Sequence, residues 1–276
     1  MSRNVTDDIP LIVQFAYGER AEYGDPDYIK NVTRLEKQAL SDDDIAKKRG
    51  LITDNSTHTG EYYDPQKYTV LTDSGTSQLA ALDNEGLSIT LTTTVNLFWG
   101  SQIMTSDGII LNDELDDFSS PGLTNAFGYA PSSVNFIRPG KRPLSSISPV
   151  IIEDLGTGKT THAIGSAGGS RIVTANIINT FNALQGMDLQ ESLKMPRWHD
   201  QISPATTTFE WAASYPEIPG WKGYDNSTVA FLASLGHNVS WVAPGSSTAQ
   251  GAYRTKQGLF KGASEIRQLA ARSAAV

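Results

Sequence analysis

At Gly75-Thr76 the chain changes character, and that boundary constrains the fold more than any other feature. Before it the pattern is helix and polar loop; after it the pattern is strands. Residues 76–82, the turn Asp83-Asn84-Glu85-Gly86 and residues 87–96 read as a β-hairpin. Leu87-Ser88-Ile89-Thr90-Leu91-Thr92 alternates with period two and is rich in β-branched residues, as a half-buried strand requires. A short strand is predicted over 108–111. A second hairpin, 148–153 with 159–165, turns through Asp154-Leu155-Gly156-Thr157-Gly158. Gly168-Gly169 then leads into a helix over 172–184, with Val173, Ile177, Phe181 and Leu184 on one face. A shorter helix over 189–193 and a helix over 226–235 closed by Gly236 follow, with strands at 239–242, 250–254 and 258–262. Strands joined by hairpins, with helices after them, imply a mainly antiparallel α/β (α+β) fold and argue against a doubly wound parallel sheet.

The stretch before the boundary starts with a helix. Asp7-Asp8 and Pro10 precede the apolar run Leu11-Ile12-Val13, a capped start. Gly24-Asp25-Pro26 is a turn, and 33–40 a short helix. Ser41 can cap another, with Asp42-Asp43-Asp44 in its first turn and Lys47-Lys48-Arg49 near its end, ahead of Gly50. Residues 51–75 are polar and without period, a long loop of the length that usually carries function or disorder.

With 276 residues, 39% of them hydrophobic, the chain can bury one large core or two modest ones. A net charge of −8, with no Lys/Arg-rich run, argues against a nucleic-acid or anionic-membrane surface. The absence of cysteine excludes disulfides, thiol catalysis and Cys-based zinc sites. No apolar run reaches the roughly 18–20 residues of a membrane-spanning helix. Five Asn-x-Ser/Thr sequons, at Asn4, Asn31, Asn55, Asn226 and Asn238, hint at a glycoprotein of the secretory pathway. Met1-Ser2-Arg3-Asn4-Val5 is not a signal peptide, and a chain beginning within a larger protein would reconcile the two.

Several motifs carry possible chemistry. Gly156-Thr157-Gly158-Lys159-Thr160 imitates a phosphate loop, but Glu153 occupies the position of the first glycine and the loop joins two strands, so a hairpin turn is the reading. Asn112-Asp113-Glu114-Leu115-Asp116-Asp117 is an acidic cluster. It is a solvated turn, a weak calcium site without the spacing or glycine of an EF-hand loop, or a holder of a ligand ammonium through charge-assisted hydrogen bonds. Ser145-Ser146 can turn the chain, and Gly168-Gly169 before a helix lets backbone N–H groups approach an anion, the geometry an oxyanion hole needs. His58, His162, His199 and His237 show no ligand spacing. No Gly-x-Ser-x-Gly elbow is present. Nothing calls for a metal or cofactor.

In order, these pieces resemble the gamma-glutamyltranspeptidase (glutathione hydrolase) family, most of all its fungal members. The stretches that carry the resemblance are Gly75-Thr76-Ser77-Gln78-Leu79, Thr92-Thr93-Thr94-Val95-Asn96-Leu97, the acidic cluster with Phe118-Ser119, Arg138-Pro139-Gly140-Lys141-Arg142-Pro143-Leu144-Ser145-Ser146, Gly165-Ser166-Ala167-Gly168-Gly169-Ser170, Pro196-Arg197-Trp198-His199-Asp200-Gln201 and Ser246-Ser247-Thr248-Ala249-Gln250-Gly251.

The resemblance implies an N-terminal nucleophile hydrolase, a four-layer αββα sandwich whose precursor cuts itself before a threonine. Residues 1–75 would be the last part of the large subunit and 76–276 a nearly complete small subunit, with the rest of the large subunit as the missing partner. Thr76 would form a γ-glutamyl ester with glutathione or a related compound, and water, an amino acid or a dipeptide would accept the acyl group. Thr94 would orient Thr76, and Gly168 and Gly169 would bind the oxyanion. Asn96, Glu114 and Asp117 would hold the substrate ammonium, and Ser145 and Ser146 its carboxylate. The full-length protein would be extracellular, at the cell surface or vacuolar. Gln78 stands where the family usually has His, Asp113 where Asn is usual, and Ala263-Ser264-Glu265-Ile266-Arg267 lacks a usual Pro, which puts packing there in question. The family's carboxylate-binding arginine falls outside the chain. The alternative is a truncated, inactive homologue that is at most a folded glycoprotein or binding module.

Overall fold

The computed structural model describes residues 9–53, 55–64, 75–123, 131–211 and 221–275. Asn4, the Asp7-Asp8 cap and the 65–74 part of the long loop lie outside the described residues. Helix α1 (Ile9–Arg20) buries Leu11, Val13, Gln14, Phe15 and Tyr17, leaving mainly Ile12 and Ala16 toward solvent. A helix apolar around most of its circumference belongs in a core. It packs with Trp198, Phe209, Val229 and Leu232 from far along the chain. Helices α2 (Val32–Ala39) and α3 (Asp42–Leu51) follow, and Ser41 caps α3 by accepting the Asp44 N–H. The helix runs through Gly50 rather than stopping before it.

Strands β1 (Thr76–Leu82) and β2 (Ser88–Thr94) form the predicted hairpin, with Thr76 directly opposite Thr94. A second sheet holds β3 (Val150–Asp154), β4 (Lys159–Ala167), β8 (Thr248–Arg254) and β9 (Phe260–Ala263), antiparallel in the order β3-β4-β8-β9. The hairpin lies on one face of it. The Gln250 side-chain amide donates to Gln78 O at 2.7 Å, and Thr90 Oγ1 donates to Ile164 O at 3.1 Å. Gln78 presses on Gly165, where an added Cβ would come within 2.2 Å of its amide nitrogen. Helices α5 (Arg171–Leu184) and α6 (Leu189–Lys194) cover the other face, closing a core of Ile164, Leu189, Leu193, Ala249 and Tyr253. The order of layers is therefore sheet, sheet, helix. The outer side of the hairpin carries Leu79, Ile89 and Leu91 at 50%, 48% and 46% exposure, where the αββα order places a further helical layer. A small sheet of β5 (Trp198–His199), β6 (Thr207–Glu210) and β7 (Val239–Val242) completes the strands. Its β6 and β7 are parallel, joined through α7 (Asn226–Ser234), because a parallel pair needs a crossover.

Four expectations change. Residues 108–111 are not a strand of a sheet; a single bridge from Met104 to Ile110 closes a tight loop that turns at Gly108, with φ of 85°. The 51–75 loop contains α4 (Gly60–Tyr63), held by Tyr63 packing edge-on against Phe15. Val173 and Ile177 of α5 pack against the α1 core as expected, but the fully buried face is Ile172, Ala175, Asn176, Asn179 and Ala183, and Leu184 is 65% exposed. Its two asparagines are buried because each has partners, Ser166 and Ser148 for Asn176 and Ser192 for Asn179. Finally, the segment 263–267 packs tightly despite the missing proline. Glu265 and Arg267 join Arg197 and Glu210 in a buried cluster of two cations and two anions, with Arg197–Glu265 at 2.8 Å and Arg267–Glu210 at 2.6 Å. The 155–158 segment is a hairpin turn, with Asp154 Oδ1 accepting the Thr157 N–H at 2.8 Å.

Candidate active site

The β1–β2 register brings two threonine hydroxyls together. Thr76 Oγ1 donates to Thr94 Oγ1 at 3.0 Å. Thr94 Oγ1 in turn donates to the Gly75 carbonyl at 3.2 Å and accepts the Asn96 N–H at 2.9 Å. The Gly75 carbonyl also accepts the Val95 N–H at 3.0 Å. A hydroxyl has one donor and two acceptor sites, and Thr94 uses all three. The carbonyl one bond before Thr76 is thus polarised by two donors. Gly75 fits there only as glycine, since a Cβ would sit 2.2 Å from Leu97 O.

Asn96 follows in a left-handed conformation, with φ of 71°, and is 1% exposed. Its side-chain N–H donates to Asp113 O at 3.3 Å, while its Oδ1 has no hydrogen-bond partner among the described residues. A buried acceptor left open suits a ligand donor. Asp113 fastens the acidic cluster to this segment: its Oδ1 accepts the Leu97 N–H at 3.1 Å, a bond an asparagine oxygen would make equally well. Glu114 and Asp117 lie half-buried on the 3-10 turn that follows, Glu114–Asp117. The structure therefore gathers Thr76, Thr94, Asn96 and the acidic turn at one end of the hairpin.

The other predicted residues lie on separate elements. Gly168 and Gly169, with φ of 129° and 59°, form the turn between β4 and α5. A side chain at Gly168 would strike Ser246 O at 2.6 Å. Neither glycine N–H donates a hydrogen bond among the described residues, so both are available to an anion at a helix N-terminus. Ser145 and Ser146 precede β3. Ser145 Oγ accepts the Ile147 N–H at 3.1 Å, and Ser146 Oγ accepts from Arg20 Nη2 at 2.9 Å. No hydrogen bond joins Thr76 to either glycine or either serine among the described residues.

Sequence reasoning missed the residues that brace these turns. Tyr17 of α1 donates to Ser170 O at 2.5 Å, next to the glycine pair. Burial holds the Tyr17 phenol well above its ordinary pKa, so it stays a donor. His199 is a buried strut rather than a base: it bonds Gln201 at 2.8 Å and Thr174 at 2.9 Å. Burial, reinforced by Arg171, brings its pKa down to about 3. Asp25 is clamped by Arg142, whose Nε reaches it at 3.0 Å, and that guanidinium holds the carboxyl well below the usual range. Among the described residues there is no cluster of His, Asp or Glu able to hold a metal ion.

The chain is similar to known proteins over most of its length. Residues 9–275 match the family model for gamma-glutamyltranspeptidase. The glutathione hydrolase proenzyme of Arthroderma benhamiae is 40% identical over 92% of this chain and 42% of its own length. The glutathione hydrolase of Aspergillus flavus is 40% identical over 86% of the chain and 39% of its own length. The crystal structure of a Helicobacter pylori gamma-glutamyltranspeptidase mutant superposes with a TM-score of 0.59 at 28% identity, covering 69% of this chain and 99% of that one. The chain spans about two-fifths of the length of the curated relatives it matches.

Proposed function

The chain belongs to the gamma-glutamyltranspeptidase family, and on that premise we propose that Thr76 is the nucleophile of a γ-glutamyl hydrolase and transferase, released by cleavage of the Gly75–Thr76 bond. The observation that carries this reading is the Thr76–Thr94–Gly75 arrangement. Thr76 Oγ attacks the Gly75 carbonyl carbon while Val95 N–H and Thr94 O–H hold the developing oxyanion. The proton of the Thr76 hydroxyl passes to the Thr76 nitrogen as the C–N bond breaks, and water hydrolyses the resulting ester, restoring the hydroxyl. This leaves a carboxylate on Gly75 and a free amine on Thr76. That amine, with a pKa near 8 in model peptides, is the base the hydroxyl needs at neutral pH.

In the second reaction Thr76 Oγ attacks the γ-carbonyl of glutathione or another γ-glutamyl compound. The leaving amine departs protonated, and water or an acceptor amine then takes the γ-glutamyl group from the ester. The open N–H groups of Gly168 and Gly169 receive the oxyanion. Asn96 Oδ1, Glu114 and Asp117 hold the ammonium, and the Ser145 and Ser146 hydroxyls meet the carboxylate. A zwitterionic substrate needs both ends held, which gives the acidic turn and the serine pair one purpose. Residues 1–75 are then the end of a large subunit and 76–276 the small one. The near-complete coverage of the Helicobacter pylori chain by about two-thirds of this one supports that division. The exposed sequon residues Asn31, Asn55, Asn226 and Asn238 favour passage through the secretory pathway.

The test is release of the aniline from a γ-glutamyl anilide by the chain alone and with the missing large-subunit portion supplied. Turnover that disappears in Thr76→Ala supports the reading; folded protein inert in both mixtures rejects it.

A further inference from the structure

We infer that Arg20, on the α1 side of the cleavage site, is a positioning residue for the substrate carboxylate, acting through the Ser146 hydroxyl; the inference rests on the γ-glutamyl reading of the site. Three observations lead there. First, Arg20 Nη2 donates to Ser146 Oγ at 2.9 Å across 126 residues of sequence, in a part-buried setting. With a cationic N–H on an oxygen lone pair, the hydroxyl keeps its proton for an outside acceptor. Ser146 donates no hydrogen bond among the described residues, and neither does its neighbour Ser145, whose oxygen is likewise occupied by the Ile147 N–H. Two adjacent hydroxyls, each with its oxygen occupied and its proton to give, make a donor pair of the kind a carboxylate accepts.

Second, Arg20 is held in place. It sits one turn beyond Tyr17 on the same face of α1, and Tyr17 is fixed by its bond to Ser170 O. One helix face therefore reaches both the serine turn and the glycine turn. The segment leading to Ser146 is pinned to the residues just after α1 by the Asp25–Arg142 pair. Third, the guanidinium brings positive charge next to a pair of neutral donors, and that charge strengthens a hydroxyl's bond to an anion. After cleavage this contact would join two separate chains, so one would orient a ligand group on the other.

The experiment is calorimetric binding of L-glutamate and of 4-aminobutanoate, which lacks the α-carboxylate, to the full chain and its Arg20→Met, Arg20→Lys and Ser146→Ala variants, each with the missing large-subunit portion supplied. Thermal unfolding checks that each is folded. The expected result is that the unsubstituted chain prefers glutamate and that Arg20→Met reduces this preference by about tenfold, the scale of one hydrogen bond to a charged group. Weak binding of 4-aminobutanoate should be unchanged, and Arg20→Lys should restore part of the preference. Adding Arg20→Met to Ser146→Ala should cost little more, because the two act as a unit. A purely structural role would weaken both ligands alike and would not couple to Ser146. If the unsubstituted chain does not discriminate between the ligands, the γ-glutamyl reading fails and this inference falls with it. If it discriminates and Arg20→Met does so equally, the inference alone is overturned.

Discussion

Thr94 is the residue whose replacement should say most. It accepts from Thr76 and Asn96 and donates to Gly75, so a valine of similar shape loses all three bonds while keeping the packing. We expect Thr94→Val to slow cleavage at Gly75–Thr76 by at least about a hundredfold, the cost of one oxyanion donor, and Thr94→Ser to retain it, both followed by the loss of the uncut band over time. Gly75→Ala should not be tolerated: its Cβ would lie 2.2 Å from Leu97 O, and the shift required should lower the urea midpoint and block cleavage. At this scale the sequence was partly legible. The hairpin was readable from its pattern, whereas Thr94 as the partner of Thr76 was implied only by the family resemblance; the observed register sets the two opposite each other. The left-handed Asn96 and its open oxygen were not legible, because nothing in the run Thr94-Val95-Asn96-Leu97 announces a reversal of φ.

Between elements, the buried charges set the largest stability effects. Arg197 bonds Glu265 and Ser247 O, and Ser247 stands against Gly168, so the charge cluster backs the glycine turn. Arg197→Met leaves part of a buried carboxylate uncompensated and should cost about 3–5 kcal/mol in urea unfolding. His199 gives a pH signature. Its native pKa is about 3, against an unfolded value near 6.5. Between those values the unfolded chain binds a proton that the native one refuses. Stability is therefore unaffected by this group above about pH 6.5 and falls as pH drops toward 3. A folded His199→Gln variant should show a shallower loss over that window in denaturant titrations at several pH values. Helices and hairpins with long periodic patterns could be read from sequence, but β5 and β6, of two and four residues, are too short to display a period. The face of α5 was only half legible: Val173 and Ile177 meet the α1 core, but the fully buried side includes two asparagines, whose partners come from β4, α6 and the loop before β3.

The whole molecule is one integrated body across the cleavage site, since α1 lies in the same core as Trp198 and Phe209. This could not be read from the abrupt change of pattern at Thr76, which suggests two units. Burial of α1 predicts that residues 1–75 stay bound to 76–276 after the cut and co-elute on size exclusion. The outer face of the hairpin, with Leu79, Ile89 and Leu91, should drive self-association of the chain on its own. Leu79→Lys with Leu91→Lys should reduce it in light scattering without disturbing the fold. The proposed chemistry requires that Thr76 become an N-terminus. Intact-mass analysis of the purified, folded chain over time should find two components, 1–75 and 76–276, and a Thr76→Ala variant should remain one. A folded, unsubstituted chain that persists as a single mass would contradict it.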